Sequence, residues 1–254
     1  CMIVFILGRT GSGKSTTARY LGEIARYLGW SVQSFNDYYF LRDMYLGDTT
    51  QRFRSTENDG FEVLDLSVYE AAIRLLARQV RGYYYEHNKM LIMVEFTSNN
   101  YLDTLQIFGN DLLRDARILF LNADLNTCLE RTRERIFHRA TADDYYVKDT
   151  VLLSHYPSPY MPFRIGENKA LFLHNMASLD DLWNSILALV PCLLEQKVSK
   201  HKAFLVGKPT VSRAEMFSII WSMPGLAWRH FLLHKWAALA ALLARKREST
   251  DALS

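Results

Sequence analysis

Five short apolar runs punctuate the chain, at residues 2–7, 31–35, 89–94, 117–121 and 170–174. They are rich in β-branched and aromatic side chains and bounded by polar or Gly-containing stretches, the pattern of buried strands. The intervals carry helical periodicity. Ala18, Leu21, Ile24 and Ala25 share a face and predict a helix over 14–28, stopped near Gly29. Asp65 or Ser67 caps a second helix to about Val80, with Val68, Ala71, Ala72, Leu75 and Leu76 on one side. Further helices are predicted over 101–115, from Asp124 through Arg139, and from Ser178 to about 191–196. Residues 41–63 lack a clear period and predict an irregular connection, and Pro157, Pro159 and Pro162 predict a loop. Strands alternating with helices predict an α/β fold of three layers around a parallel sheet of five strands.

Composition adds a boundary. The chain has 254 residues and is 49% apolar, enough for one α/β domain and an appendage. Its net charge of +3 is unevenly spread: residues 196–254 carry ten basic and three acidic side chains, so the first 195 are net acidic. We therefore expect a core over 1–195 and a basic helical extension over 196–254 holding Trp221, Trp228 and Trp236. Cys1, Cys128 and Cys192 are far apart and lack metal-ligand spacing, which predicts a reducing, cytoplasmic setting. No run of eighteen apolar residues predicts a membrane span, and no leader pattern precedes the first strand.

The candidate chemistry centres on Gly8-Arg9-Thr10-Gly11-Ser12-Gly13-Lys14-Ser15, which reads G-x-x-x-x-G-K-S between a strand and a helix. This is the phosphate-binding P-loop. Its glycines admit positive φ and close backbone approach, so the N–H groups of Thr10, Gly11, Ser12, Gly13 and, into the helix, Thr16 can converge on a phosphate chain. The helix N-terminus adds partial positive charge. Lys14 would reach the β- and γ-phosphates of ATP, and the Ser15 hydroxyl would ligate Mg²⁺.

Phosphoryl transfer also needs a group to orient the attacking hydroxyl and cations for the transferred charge. Asp37 and Glu95 each follow an apolar strand, at the edge that faces the ligand crevice in open α/β sheets. One could accept the acceptor's proton and the other hold Mg²⁺, directly or through water; Asp37 is the first choice for base and Glu95 for metal partner. Arg131 and Arg135 are four apart on one helix face, continued by Arg139, and guanidinium groups suit bidentate phosphate contact. A solvated face paired with Glu130 and Glu134 is the competing reading. Tyr38, Arg52 and Arg54 are candidates for acceptor binding, with packing and loop solvation as alternatives.

The P-loop, Asp37-Tyr38-Tyr39, Val94-Glu95-Phe96, the run from Cys128 to Arg135 and Asn175-Met176-Ala177-Ser178 together resemble the nucleoside and nucleotide kinase families of P-loop enzymes. The resemblance spans about residues 2–195. It implies a sheet order of 2-3-1-4-5 and an acid after the second or third strand acting as base or metal partner. It also implies a lid around 131–165 whose arginines clamp the phosphoryl group, and an Asn175 segment bordering adenine. Two departures stand out. Glu95 is followed by Phe96-Thr97-Ser98 where nucleoside kinases place an arginine, and Met176-Ala177 stand where a glycine is frequent.

The expected activity is transfer of the γ-phosphoryl of ATP to a nucleoside, nucleotide or similar small hydroxyl acceptor. The basic extension keeps two alternatives open: an acceptor hydroxyl borne on nucleic acid, or a nucleotide-dependent regulatory switch. The extension itself could pack on the core or on a second copy of the chain, hold a polyanion, or lie on a membrane surface.

Overall fold

The computed structural model describes residues 1–56, 60–87, 90–137, 164–165, 168–175 and 178–194. The extension over 196–254, Arg139 and most of the expected lid lie outside these residues.

The chain opens with strand β1 (Met2–Gly8), whose seven residues are all buried. Burial of every residue means both faces of the sheet are covered there, as the unbroken apolar run requires. Helix α1 (Lys14–Tyr27) follows, then β2 (Ser31–Asn36), α2 (Asp37–Leu46), β3 (Phe53–Thr56), β4 (Gly60–Val63) and α3 (Ser67–Glu86). Next come β5 (Met90–Phe96), α4 (Tyr101–Gln106), α5 (Gly109–Leu113), β6 (Arg117–Asn122), α6 (Leu125–Phe137), β7 (Arg164–Ile165), β8 (Asn168–His174) and a last helix, α7 (Leu179–Leu194).

The main sheet runs β2-β5-β1-β6-β8-β7. Its first five members are parallel, and β7 adds antiparallel to β8. The expected five-stranded sheet is thus six-stranded among the described residues. The numbering also departs from 2-3-1-4-5, because the β3–β4 hairpin and β7 intervene along the chain. The five apolar runs themselves lie side by side in the sequence second, third, first, fourth, fifth. β2, with Ser31, Gln33 and Ser34, is the most polar of them and takes an edge, where one side needs no partner.

Alternation splits the side chains between faces. Ile3, Phe5 and Leu7 join Ile92, Val94 and Phe96 in a cluster closed by α3, α4 and α5. Phe108 sits at its centre, edge-on to Phe5 at 4.8 Å and stacked on Phe96 at 5.7 Å between ring centroids. On the opposite face α1 packs with α7, where Tyr20 meets Trp183 edge-on at 4.9 Å.

Three sequence expectations change. Residues 41–63 are not wholly irregular: α2 runs to Leu46, and β3 and β4 pair antiparallel beyond it. Asn36 caps α2 by accepting from the Tyr38 N–H, and Tyr38, Leu41, Phe53 and Phe61 bury together in a small core of their own. Those contacts are tertiary and have no sequence period. The helix expected to end near Val80 continues to Glu86, because Tyr83 packs edge-on to Phe35. The helix expected over 101–115 is two short ones, broken before Gly109, whose φ is 81°.

Candidate active site

The register of the sheet builds the site. Glu95 pairs with Ile6 on one side and Asn36 on the other, so three strand ends finish level. Gly8, which ends β1, and Asp37 and Thr97, which directly follow β2 and β5, lie at the carboxyl edge where parallel sheets bind ligands.

α1 begins at Gly13 with no side-chain cap, whereas α2 and α4 are capped by Asn36 and Asn100. An uncapped helix start keeps its N–H groups for an incoming anion. Gly11 and Gly13 have φ of 84° and 96°, a region closed to most side chains. A Cβ on Gly11 would lie 2.5 Å from the Cys128 carbonyl oxygen, and one on Gly13 would strike the Asn175 amide. The loop is thus backed by other parts of the chain: Asn175 Nδ2 donates to the Ser12 carbonyl at 2.8 Å, and Arg131 donates to the Asn175 carbonyl at 3.0 Å. The Ser12 hydroxyl is buried and finds no partner among the described residues. A cradle that only glycine fits, an open helix start and an orphaned hydroxyl together suit a bound phosphate chain.

Lys14 lies across this cradle. Its Nζ donates to the carbonyls of Gly8 and Arg9, both at 3.0 Å, and to Thr97 Oγ1 at 2.8 Å. Thr97 Oγ1 in turn donates to the Gly8 carbonyl at 3.2 Å, and the Thr97 N–H donates to Asp37 Oδ2 at 3.3 Å. Lys14 and Asp37 are therefore linked through one threonine. Burial pushes the Asp37 carboxyl up to about 6, against the opposing pull of Lys14 and the Thr97 N–H. A carboxyl titrating near there is mostly carboxylate at neutral pH, yet basic enough to take a proton in the reaction.

Glu95 is 4% exposed and its Oε1 accepts from Ser34 Oγ at 3.3 Å. It shares a strand face with Met93, which meets Gly22 of α1, so Glu95 projects to the α1 side of the sheet. Ser15 stands exposed on the first turn of α1. Among the described residues no cluster of three His, Cys, Asp or Glu forms a metal cage. One hydroxyl and one or two carboxylates beside a phosphate site fit the way Mg²⁺ is held, with phosphates and water completing its shell.

The remaining sequence candidates divide. Tyr38 is buried and stacks on Phe61 at 5.9 Å, packing the small core. Arg54 pairs with Glu62 across the hairpin, its Nε donating at 3.0 Å, and exposed Arg52 lies 3.8 Å from Asp48. Arg135 falls on α6 with its side chain outside the described residues, as is all of Arg139.

A cavity of about 720 Å³ opens beside Thr97. α3 contributes Tyr69, Ile73 and Arg74, the segment after β5 contributes Ser98 and Asn99, α4 contributes Asp103, and Ile107 follows it. Burial, with a smaller push from Asp37 and Glu62, raises the Tyr69 hydroxyl to about 12. Thr97 lines this cavity and also contacts Lys14 and Asp37, so it adjoins both the phosphate cradle and the cavity. In the sequence Thr97 and Ser98 mark only a departure from an arginine. A polar pair directly beyond a buried strand, at the crevice edge, was the available signal.

Fold and site together define a nucleotide-binding protein of the P-loop class. The family model described as an AAA domain matches residues 4–151, more than half of the chain, and the chain belongs to that family. Its fold is also found in proteins solved as kinases. A protein from Chloroflexus aurantiacus proposed to be a kinase is 17% identical, with a TM-score of 0.50 over 76% of this chain and 98% of that chain. A gluconokinase from Sinorhizobium meliloti is 17% identical (TM-score 0.46; 76% and 93% covered). The Mycobacterium tuberculosis APS kinase CysC, solved with AMPPNP and APS, is 15% identical (TM-score 0.49; 74% and 96% covered). At these identities the likeness is one of fold. No curated protein matches the sequence significantly. Among the described residues no helix is long and apolar enough to cross a membrane.

Proposed function

We propose that this protein is an ATP-dependent phosphotransferase that moves the γ-phosphoryl group to a hydroxyl of a small acceptor such as a nucleoside, a nucleotide or a similar molecule. The observation that carries the reading is the path Lys14–Thr97–Asp37 between the phosphate cradle and a cavity large enough for such an acceptor.

In this reading the triphosphate enters the cradle and Lys14 exchanges its carbonyl partners at Gly8 and Arg9 for phosphate oxygens, a stronger charge-assisted contact. The acceptor enters from the cavity, and Asp37 takes the proton of its hydroxyl as the phosphoryl group transfers. Ser15 and Glu95 would hold Mg²⁺, which when bound would neutralise charge in the transfer. Arg131, Arg135 and Arg139 are the candidate cations for the transferred group, and Asn175 the candidate neighbour of adenine.

The test is ATP consumption measured over a panel of nucleosides, nucleotides, sugars and other small alcohols, with Lys14→Ala as control. Acceptor-stimulated turnover that disappears in Lys14→Ala supports the reading. Unstimulated turnover across a broad panel counts against it.

A further inference from the structure

The cavity beside Thr97 selects for charge. A nucleoside monophosphate or sugar phosphate brings a dianion, and a site that binds one presents uncommitted cations or open helix N–H groups. This lining offers neither among the described residues. Arg74 is its one cation, and Glu70, one turn earlier on α3, takes both its Nε at 2.9 Å and its Nη2 at 2.6 Å. Whichever way Arg74 turns, Glu70 travels the same helix face, and Asp103 leaves the lining with a net negative charge.

The start of α4 is also closed to an anion. Asn100 Oδ1 accepts from the N–H groups of Leu102 and Asp103, and Asn100 Nδ2 donates to Asp103 Oδ2 at 2.6 Å. A carboxylate thus stands where a phosphate would need positive potential. What remains toward the cavity is neutral: the Tyr69 hydroxyl, the Ser98–Thr104 hydroxyl pair at 2.7 Å and the Asn99 amide, beside apolar Ile73 and Ile107.

Building on the phosphotransferase reading, we infer that the acceptor is an uncharged polyhydroxylated molecule, of the nucleoside or sugar class, and that its phosphorylated counterpart is rejected. Hydroxyls match the neutral donors and acceptors, and a flat apolar face matches Ile73 and Ile107. A phosphate would meet the Asp103 carboxylate without a compensating cation, a repulsive element that discriminates against it.

The experiment pairs acceptors that differ only by a phosphate, nucleosides against their monophosphates and sugars against sugar phosphates, and reads phosphorylated product by mass spectrometry with the full chain. Turnover is expected with members of the uncharged set, and kcat/KM for each phosphorylated counterpart should be lower by roughly 100-fold or more. In Asp103→Lys, an exposed position, that ratio should fall by about 10-fold or more. Turnover confined to phosphorylated acceptors, or a ratio unmoved by Asp103→Lys, overturns this inference alone. Absence of product from both sets, with a non-hydrolysable ATP analogue still bound, overturns the phosphotransferase reading and this inference with it.

Discussion

Asp37→Asn should make the protein more stable and less active at once. Burial raises the Asp37 carboxyl from 3.8 to about 6, with the attraction of Lys14 and the Thr97 N–H already counted. In the unfolded chain the same carboxyl ionises at its ordinary value. Between pH 3.8 and about 6 the folded protein therefore holds more protons than the unfolded one, so stability falls as pH rises through that window and levels off above it. Two units correspond to about 3 kcal/mol. Asp37 keeps some solvent contact, which screens the charge and brings the figure to about 1–2 kcal/mol. Asparagine retains an oxygen for the Thr97 N–H and carries no charge to bury. Urea unfolding at pH 7.5 should show the variant more stable by about 1–2 kcal/mol, with a midpoint temperature roughly 3–6 °C higher. At pH 4 the two proteins should converge. Turnover should meanwhile drop by about 10²–10⁴-fold, and the wild-type rise in kcat through pH 6 should vanish. A variant that is no more stable at pH 7.5 would show that the carboxylate is not held at a cost. A variant that keeps full turnover would remove Asp37 from the chemistry.

The other expectations follow from single contacts. Thr97→Val keeps the N–H to Asp37 but loses Oγ1 toward Lys14 and Gly8, so kcat should fall about 10-fold while Thr97→Ser stays near wild type; steady-state kinetics compare them. Gly13→Ala places a methyl against the Asn175 amide at a φ of 96°, and binding of a fluorescent ATP analogue should be lost. Phe108→Ala removes the ring packed on Phe5 and Phe96 and should cost about 3–5 kcal/mol in denaturant unfolding, with m unchanged.

Much of the framework was legible along the chain because its signals are local. An apolar run buried on both faces, such as residues 2–7, reads as a strand without knowledge of its neighbours. The spacing of Gly8, Gly13, Lys14 and Ser15 states a backbone conformation and a charge within eight residues. Asp37 and Glu95 are legible as candidates because each follows or ends such a run, where an acid demands a polar crevice.

Other features depended on contacts between distant residues. The β3–β4 hairpin exists because Phe53 and Phe61 find Tyr38 and Leu41, and no periodicity announces that. Arg54 pairs with Glu62 only once the hairpin closes, and Tyr38 turns inward only once Phe61 arrives. Thr97 stands 83 residues from Lys14 and 60 from Asp37, and only the level ends of β1, β2 and β5 bring the three together. The sequence by itself determined that a phosphate loop lies between a buried strand and a helix, since dihedral freedom and burial pattern are properties of neighbours along the chain. Tertiary structure decided which carboxyl faces that loop, what links them and which charges line the cavity beside them, because sheet register and helix packing place groups that sequence keeps far apart.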